Sequence, residues 1–170
     1  MKPLEPPDSH YLNAAQGWLG LRDYQSALAE LDAIDLTMRA HPDVLAMRCD
    51  IYSASKQWPA ALAFAFTLVV LVPDKPAGWI QRSFALHELK RTRQAFHLLL
   101  PAAMKFPKIP TIPYNLACYS TQLGNLEEAR RWLLRSYEIG DAKELRLAAL
   151  SDPDLAPLLG QQESEARREE

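Results

Sequence analysis

The side chains best equipped for chemistry are four histidines, His10, His41, His87 and His97, and two cysteines, Cys49 and Cys118. A cysteine beside a histidine makes a nucleophile–base pair, and both residue types ligate zinc. The spacing here serves neither purpose. No CxxC or HExxH is present, and GxSxG, GxGxxG and GxxxxGK[ST] are also absent. His87, Glu88 and Cys118 are joined only by falling on one expected surface. The histidines read as surface residues or helix caps, and the cysteines as small buried hydrophobes. We therefore expect no catalytic residue, metal site or cofactor, and no enzyme. The basic runs Lys90-Arg91-Thr92-Arg93 and Arg130-Arg131 read as solvated faces beside turns. They lack the interleaved aromatics on which bases stack. A net charge of -2 also gives no basic footprint, so nucleic acid is not an expected partner.

Two isolated cysteines form no disulfide framework, which fits a reducing compartment. The opening Met1–Asp8 has no apolar run. The most apolar stretch, Trp58–Val72, contains Pro59 and is shorter than the roughly 17–25 residues of a membrane helix. These features predict a soluble, cytoplasmic chain with no membrane partner.

The elements that would position any site follow from a repeat. Alanine recurs every 34 residues, at Ala27, Ala61, Ala95 and Ala129. Three residues before each stand Tyr24, Trp58, Thr92 and Leu126. Four residues after each stand Leu31, Ala65, Leu99 and Leu133. Pro73 and Pro107 close the second and third units. A small side chain early in the second of two paired helices lets them approach closely. The proline cannot continue a helix and ends the unit. Helices are predicted at 9–21 and 24–38, 43–55 and 58–72, 77–89 and 92–105, 111–123 and 126–139, with a ninth at 143–150. Asp8 or Ser9 is the expected first N-cap. No useful length alternates like a strand, so the chain reads as all-α. We expect one domain over 1–160, with units near 8–41, 42–75, 76–109 and 110–143, a cap at 143–160 and a charged tail at 161–170.

A 34-residue helical hairpin with this alanine, an aromatic at the turn and a closing proline resembles the tetratricopeptide repeat. Unit four shows it best, in Asn115-Leu116-Ala117-Cys118-Tyr119 and Leu123-Gly124-Asn125-Leu126-Glu127-Glu128-Ala129. Units one to three lack the turn glycine usual in that family, with Arg22, Lys56 or Gln57, and Lys90 or Arg91 near its place. The ending Asp152-Pro153-Asp154-Leu155-Ala156-Pro157-Leu158 is similar to endings on such arrays. The resemblance implies a right-handed αα-superhelix (a solenoid of four hairpins and a C-terminal capping helix). First helices would line a concave groove that binds a peptide or partner protein.

On that expectation, helical spacing puts Leu12, Asp43, Asp50, Ile80, Phe84, His87, Tyr114 and Cys118 in the groove. Its apolar centre and acidic edge suit a peptide with an apolar anchor and a basic flank. The family's clamp for carboxylate-ended tails needs lysine, asparagine and arginine. Leu12, Gln16, Met47, Ala77 and Gln81 occupy those places, a shift by one unit gives Ala46, Asp50, Gln81, Thr111 and Asn115, and neither set is a clamp, so that ligand is not expected. The uncharged run from Ala60 to Val72 suggests an apolar back through Phe66 and Val70, with Leu100 and Met104 in the next unit. Such a patch suits self-association or a docked partner. Arg48 and Arg82 occupy equivalent places and read as solvated or snorkelling side chains. The function expected is a protein-binding scaffold. The alternative is a dedicated chaperone or masking subunit for one client.

Overall fold

In the computed structural model, residues 3–160 are described. Among them, nine helices of ten residues or more follow one another: α1 (Asp8–Gly20), α2 (Tyr24–Ala33), α3 (Pro42–Ala54), α4 (Trp58–Leu71), α5 (Pro76–Glu88), α6 (Thr92–Lys105), α7 (Thr111–Gln122), α8 (Leu126–Ile139) and α9 (Ala142–Ser151). A short helical stretch over 156–160 follows, and no strand occurs among the described residues. The expected tail at 161–170 lies outside them. The chain groups into two compact units, Met1–Ala85 and Leu86–Glu170, which divide inside α5. In the first, α1 pairs with α2 and α3 with α4. In the second, α7 pairs with α8, and α6 and α9 pack on that pair.

The four repeated alanines are all fully buried, as are Leu31, Ala65 and Leu99, with Leu133 nearly so. A second column of small residues runs along the first helices at the same interval. Ala15, Cys49, Ser83 and Ala117 are each 0% exposed. Where the two columns meet, the Cys49 thiol donates to the Ala61 carbonyl at 3.3 Å. Small side chains on both helices explain how they come so close. Identical letters in the sequence reveal only one of the two columns.

The turns repeat as faithfully as the cores. Arg22, Lys56, Lys90 and Gly124 have φ of 62°, 58°, 62° and 81°, and each stands 34 residues from the next. Around each, the chain makes the paired backbone bonds of a Schellman motif. Asp23 N–H donates to Trp18 C=O and Arg22 N–H to Leu19 C=O. The same pair joins Gln57 to Tyr52 and Lys56 to Ser53, then Arg91 to Leu86 and Lys90 to His87, then Asn125 to Ser120 and Gly124 to Thr121. The left-handed residue is therefore present in every unit. Three units fill it with a long basic side chain in place of glycine.

Most helix ends fall within two residues of expectation, but α2 stops five residues early, at Ala33. Ile34 turns extended and buries its side chain. Asp35 then accepts from both the N–H and the hydroxyl of Thr37, a local turn that competes with helix. The Arg39 guanidinium ties down the end of α2 by donating to the carbonyls of Ile34 and Asp32. At the same end of the hairpin, α1 starts at Asp8 after Pro7, so neither Asp8 nor Ser9 is the N-cap. Asp8 instead accepts from the Asp35 N–H at 3.0 Å. Arg82 is also not solvated. It is 7% exposed, with its guanidinium 5.4 Å from the Phe66 ring centre and 5.1 Å from that of Trp79. Arg48 pairs with Asp32 at 2.5 Å and lies 6.0 Å from the Phe64 ring centre.

Candidate partner-binding faces

The face of the first unit is built from α3 and α5. Asp43, Ala46 and Asp50 recur along α3 at helical spacing, as Ala77, Gln81 and Phe84 do along α5. The two rows are joined where Gln81 Nε2 donates to Asp50 Oδ1. Asp43 and Asp50 are both exposed. Burial of part of the group pushes the Asp50 carboxyl above its ordinary value, and the Gln81 bond opposes that shift. Phe84 is 41% exposed, with its ring set edge-on against Trp58 at 5.6 Å. Trp58 thus fixes the orientation of an aromatic that faces solvent. Beside this row a cavity of about 570 Å³ opens between the starts of α3 and α5 and the end of α4. Asp43, Ala46, Leu68, Val72, Lys75 and Ala77 are among the residues lining it. Of the other expected residues in this unit, Leu12 is half-buried against the core of Ala15, Ala27 and Leu31. Ile80 is also half-buried.

The face of the second unit is already filled. Three residues expected to meet a partner, His87, Tyr114 and Cys118, instead meet the chain's own C-terminal segment. The Tyr114 hydroxyl donates to Asp152 Oδ2 at 3.0 Å, and the Cys118 thiol points to the same oxygen at 3.6 Å. His87 Nε2 lies 2.8 Å from Asp154 Oδ2, and its Nδ1 lies 3.0 Å from Thr92 Oγ1. An ionised carboxylate only accepts, so Nε2 carries the hydrogen toward Asp154. Gln122 Nε2 donates to the Asp154 carbonyl at 3.0 Å. Leu155 and Leu158 are fully buried beyond these contacts. His87 and Cys118 are left 6% and 5% exposed, too little to meet a free ligand.

The thiols are not poised for attack. Burial pushes Cys49 up to about 12, with the Asp50 carboxylate adding to the rise. Burial and the carboxylates of Asp152 and Asp154 push Cys118 up as well. Tyr114 is raised by burial first and then by Asp152. Among the described residues, no three of His, Cys, Asp and Glu are placed to hold a metal ion. No helix among them is long and apolar enough to cross a membrane.

The expected apolar back is exposed in each unit. In the first, Phe66 is 38% and Val70 77% exposed. In the second, Leu100 is 37% and Met104 87% exposed.

No protein-family model matches the chain, and no curated protein does. Solved structures do. TTC0263, a thermophilic TPR protein of Thermus thermophilus, superposes with a TM-score of 0.73 at 19% identity, over 91% of this chain and 82% of that one. The fold is that of a tetratricopeptide-repeat protein. A double mutant of MamA RS-1 superposes with a TM-score of 0.68 at 16% identity, over 88% of this chain and 80% of that one. Yeast Tom70 gives 0.68 at 15% identity over 91% of this chain, which spans only 36% of Tom70. Identities this low establish the all-α αα-superhelix class and no more than the fold. Within a tetratricopeptide fold the first helices of the hairpins carry the two faces described above. They differ in what the described residues place on them: Asp43, Asp50 and Phe84 of the first are exposed, and residues 152–158 lie against the second.

Proposed function

We propose that the protein is a binding scaffold that holds a partner segment on the α3–α5 face of its first unit. The observation carrying this reading is the row of Asp43, Asp50 and a half-exposed, Trp58-braced Phe84 beside a cavity with Leu68, Val72 and Ala77 in its wall. An aromatic held in one orientation loses little entropy on contact and makes an efficient anchor. The two carboxylates favour a cationic flank, and Lys75 at the cavity rim disfavours an extended basic run there. The partner class is thus a peptide with an apolar anchor and one or two basic residues on one side.

Fluorescence polarisation with labelled peptides of that pattern tests the reading. Reversal of both charges, Asp43→Lys with Asp50→Lys, should weaken binding by about tenfold or more, and Phe84→Ala by a similar factor. Affinities unchanged in both variants would remove the face from consideration. The wild-type affinity should also depend on pH. The Asp50 carboxyl is raised, so it begins to protonate at a higher pH than an ordinary aspartate. Attraction to the basic flank is complete well above that point and fades as pH falls through it. A native pull-down separates the scaffold from the masking subunit. Several substoichiometric partners fit the scaffold, and one equimolar client fits the alternative.

A further inference from the structure

The occupied face of the second unit specifies a ligand chemistry. Four polar side chains, from the last turn of α5 and from α7, converge on one short stretch of chain. They contact two carboxylates two residues apart and one carbonyl. Helix packing does not require polar groups there, and an apolar cap would close the end of the unit equally well. Residues 153–155 form a turn, closed by the Leu155 N–H donating to the Asp152 carbonyl and the Asp154 N–H to Asp152 Oδ1, and side chains from α5 and α7 grip this turn from outside. Leu155 and Leu158 then fill apolar space as anchors. Directed side-chain bonds to a short turn, together with leucine anchors in and just after it, are contacts by which a domain can also hold a peptide in trans. In chain order the segment comes after α9, so none of α6 to α9 has to open for it to leave.

We propose that this face is a second peptide site, that residues 151–159 are its built-in occupant, and that it binds partner segments of the pattern Asp-x-Asp-Leu by exchange with that occupant. Tethering gives the occupant a high effective concentration, so an outside peptide binds weakly until the internal contacts are loosened. The site uses different residues from the α3–α5 face, and failure of either proposal leaves the other standing.

The test is a labelled peptide of residues 150–160, titrated into full-length protein. Wild type should bind it weakly. The full-length variant Asp152→Ala, Asp154→Ala should bind it at least about tenfold more tightly, because its own segment no longer competes. A peptide with the same two alanine changes should bind neither protein. Adding His87→Ala to the variant should reverse most of the gain. Equal binding by wild type and variant, or equal binding of the two peptides, overturns the proposal. Hydrogen exchange on the wild type gives an answer that needs no variant. Amides of 151–159 should exchange at least about tenfold faster than those of Leu116–Thr121, and faster still with excess peptide. Equal protection of the two segments would mean that the segment leaves only when the unit unfolds, and the proposal fails.

Discussion

A chain with leucine in place of Ala61 is expected to lose about 3 kcal/mol of stability, near the upper end for overpacking a tight core. Ala61 is fully buried, and its carbonyl lies against the Cys49 thiol of the facing helix. Three added carbons have no space unless α3 and α4 separate, and separation would loosen the flanking Ala65 and Leu68 contacts. For a chain of this length the loss corresponds to a fall in Tm of roughly 6–12 °C. The same change at Ala63, two residues on and exposed, should stay within about 0.5 kcal/mol. Thermal unfolding of the two variants beside wild type measures the contrast directly.

The second large effect belongs to Gly78, near the start of α5. A Cβ there would lie 2.9 Å from Leu68 Cβ, 3.0 Å from the Val69 nitrogen and 3.2 Å from the Leu68 carbonyl carbon. Two of these are backbone atoms of α4, which cannot rotate aside. Helix propensity alone predicts that Gly78→Ala stabilises by about 1 kcal/mol. The contact predicts the opposite sign. We expect Gly78→Ala to destabilise by about 1–2 kcal/mol and Gly78→Leu by about 3 kcal/mol or more. The check is the urea midpoint, with the slope of the transition unchanged. A stabilised Gly78→Ala would show that α4 and α5 do not approach as closely as described.

Both effects come from the same feature, small residues where helices cross, and this is the most legible part of the sequence. The alanine column is visible because 34-residue periodicity repeats one local environment four times. The matching column of Ala15, Cys49, Ser83 and Ala117 keeps the same interval, but alanine, cysteine and serine do not look alike as letters. Their shared property is volume, and a search for small residues of any type finds them. The left-handed turn residues are hidden for a related reason. Arg22, Lys56 and Lys90 occupy a position where glycine is unstrained, and backbone conformation overrides what their side chains suggest. The early end of α2 has a local signal in Asp35 and Thr37, masked by apolar spacing that continues to Met38.

The candidate site is legible only where it is local. Helical spacing puts Asp43 and Asp50 on one side of α3, and the 34-residue interval puts Phe84 at the place on α5 that Asp50 has on α3; all three are exposed. The same spacing places His87, Tyr114 and Cys118, yet their partners come from 34 to 67 residues further along the chain. Nothing in periodicity tells whether a face that could hold a peptide is already holding one. The Asp152–Leu158 stretch is recognisable as an ending, and its destination is not.

Whether the paired helices nestle through their small residues is tested most directly by a double-mutant cycle on Ala61→Leu and Cys49→Ala. The larger side chain at 61 and the smaller one at 49 should compensate. The double variant is then expected to be more stable than the sum of the single effects by at least about 0.5 kcal/mol. Strict additivity would mean that the two positions do not share a contact, and it would contradict the close crossing on which the repeat rests.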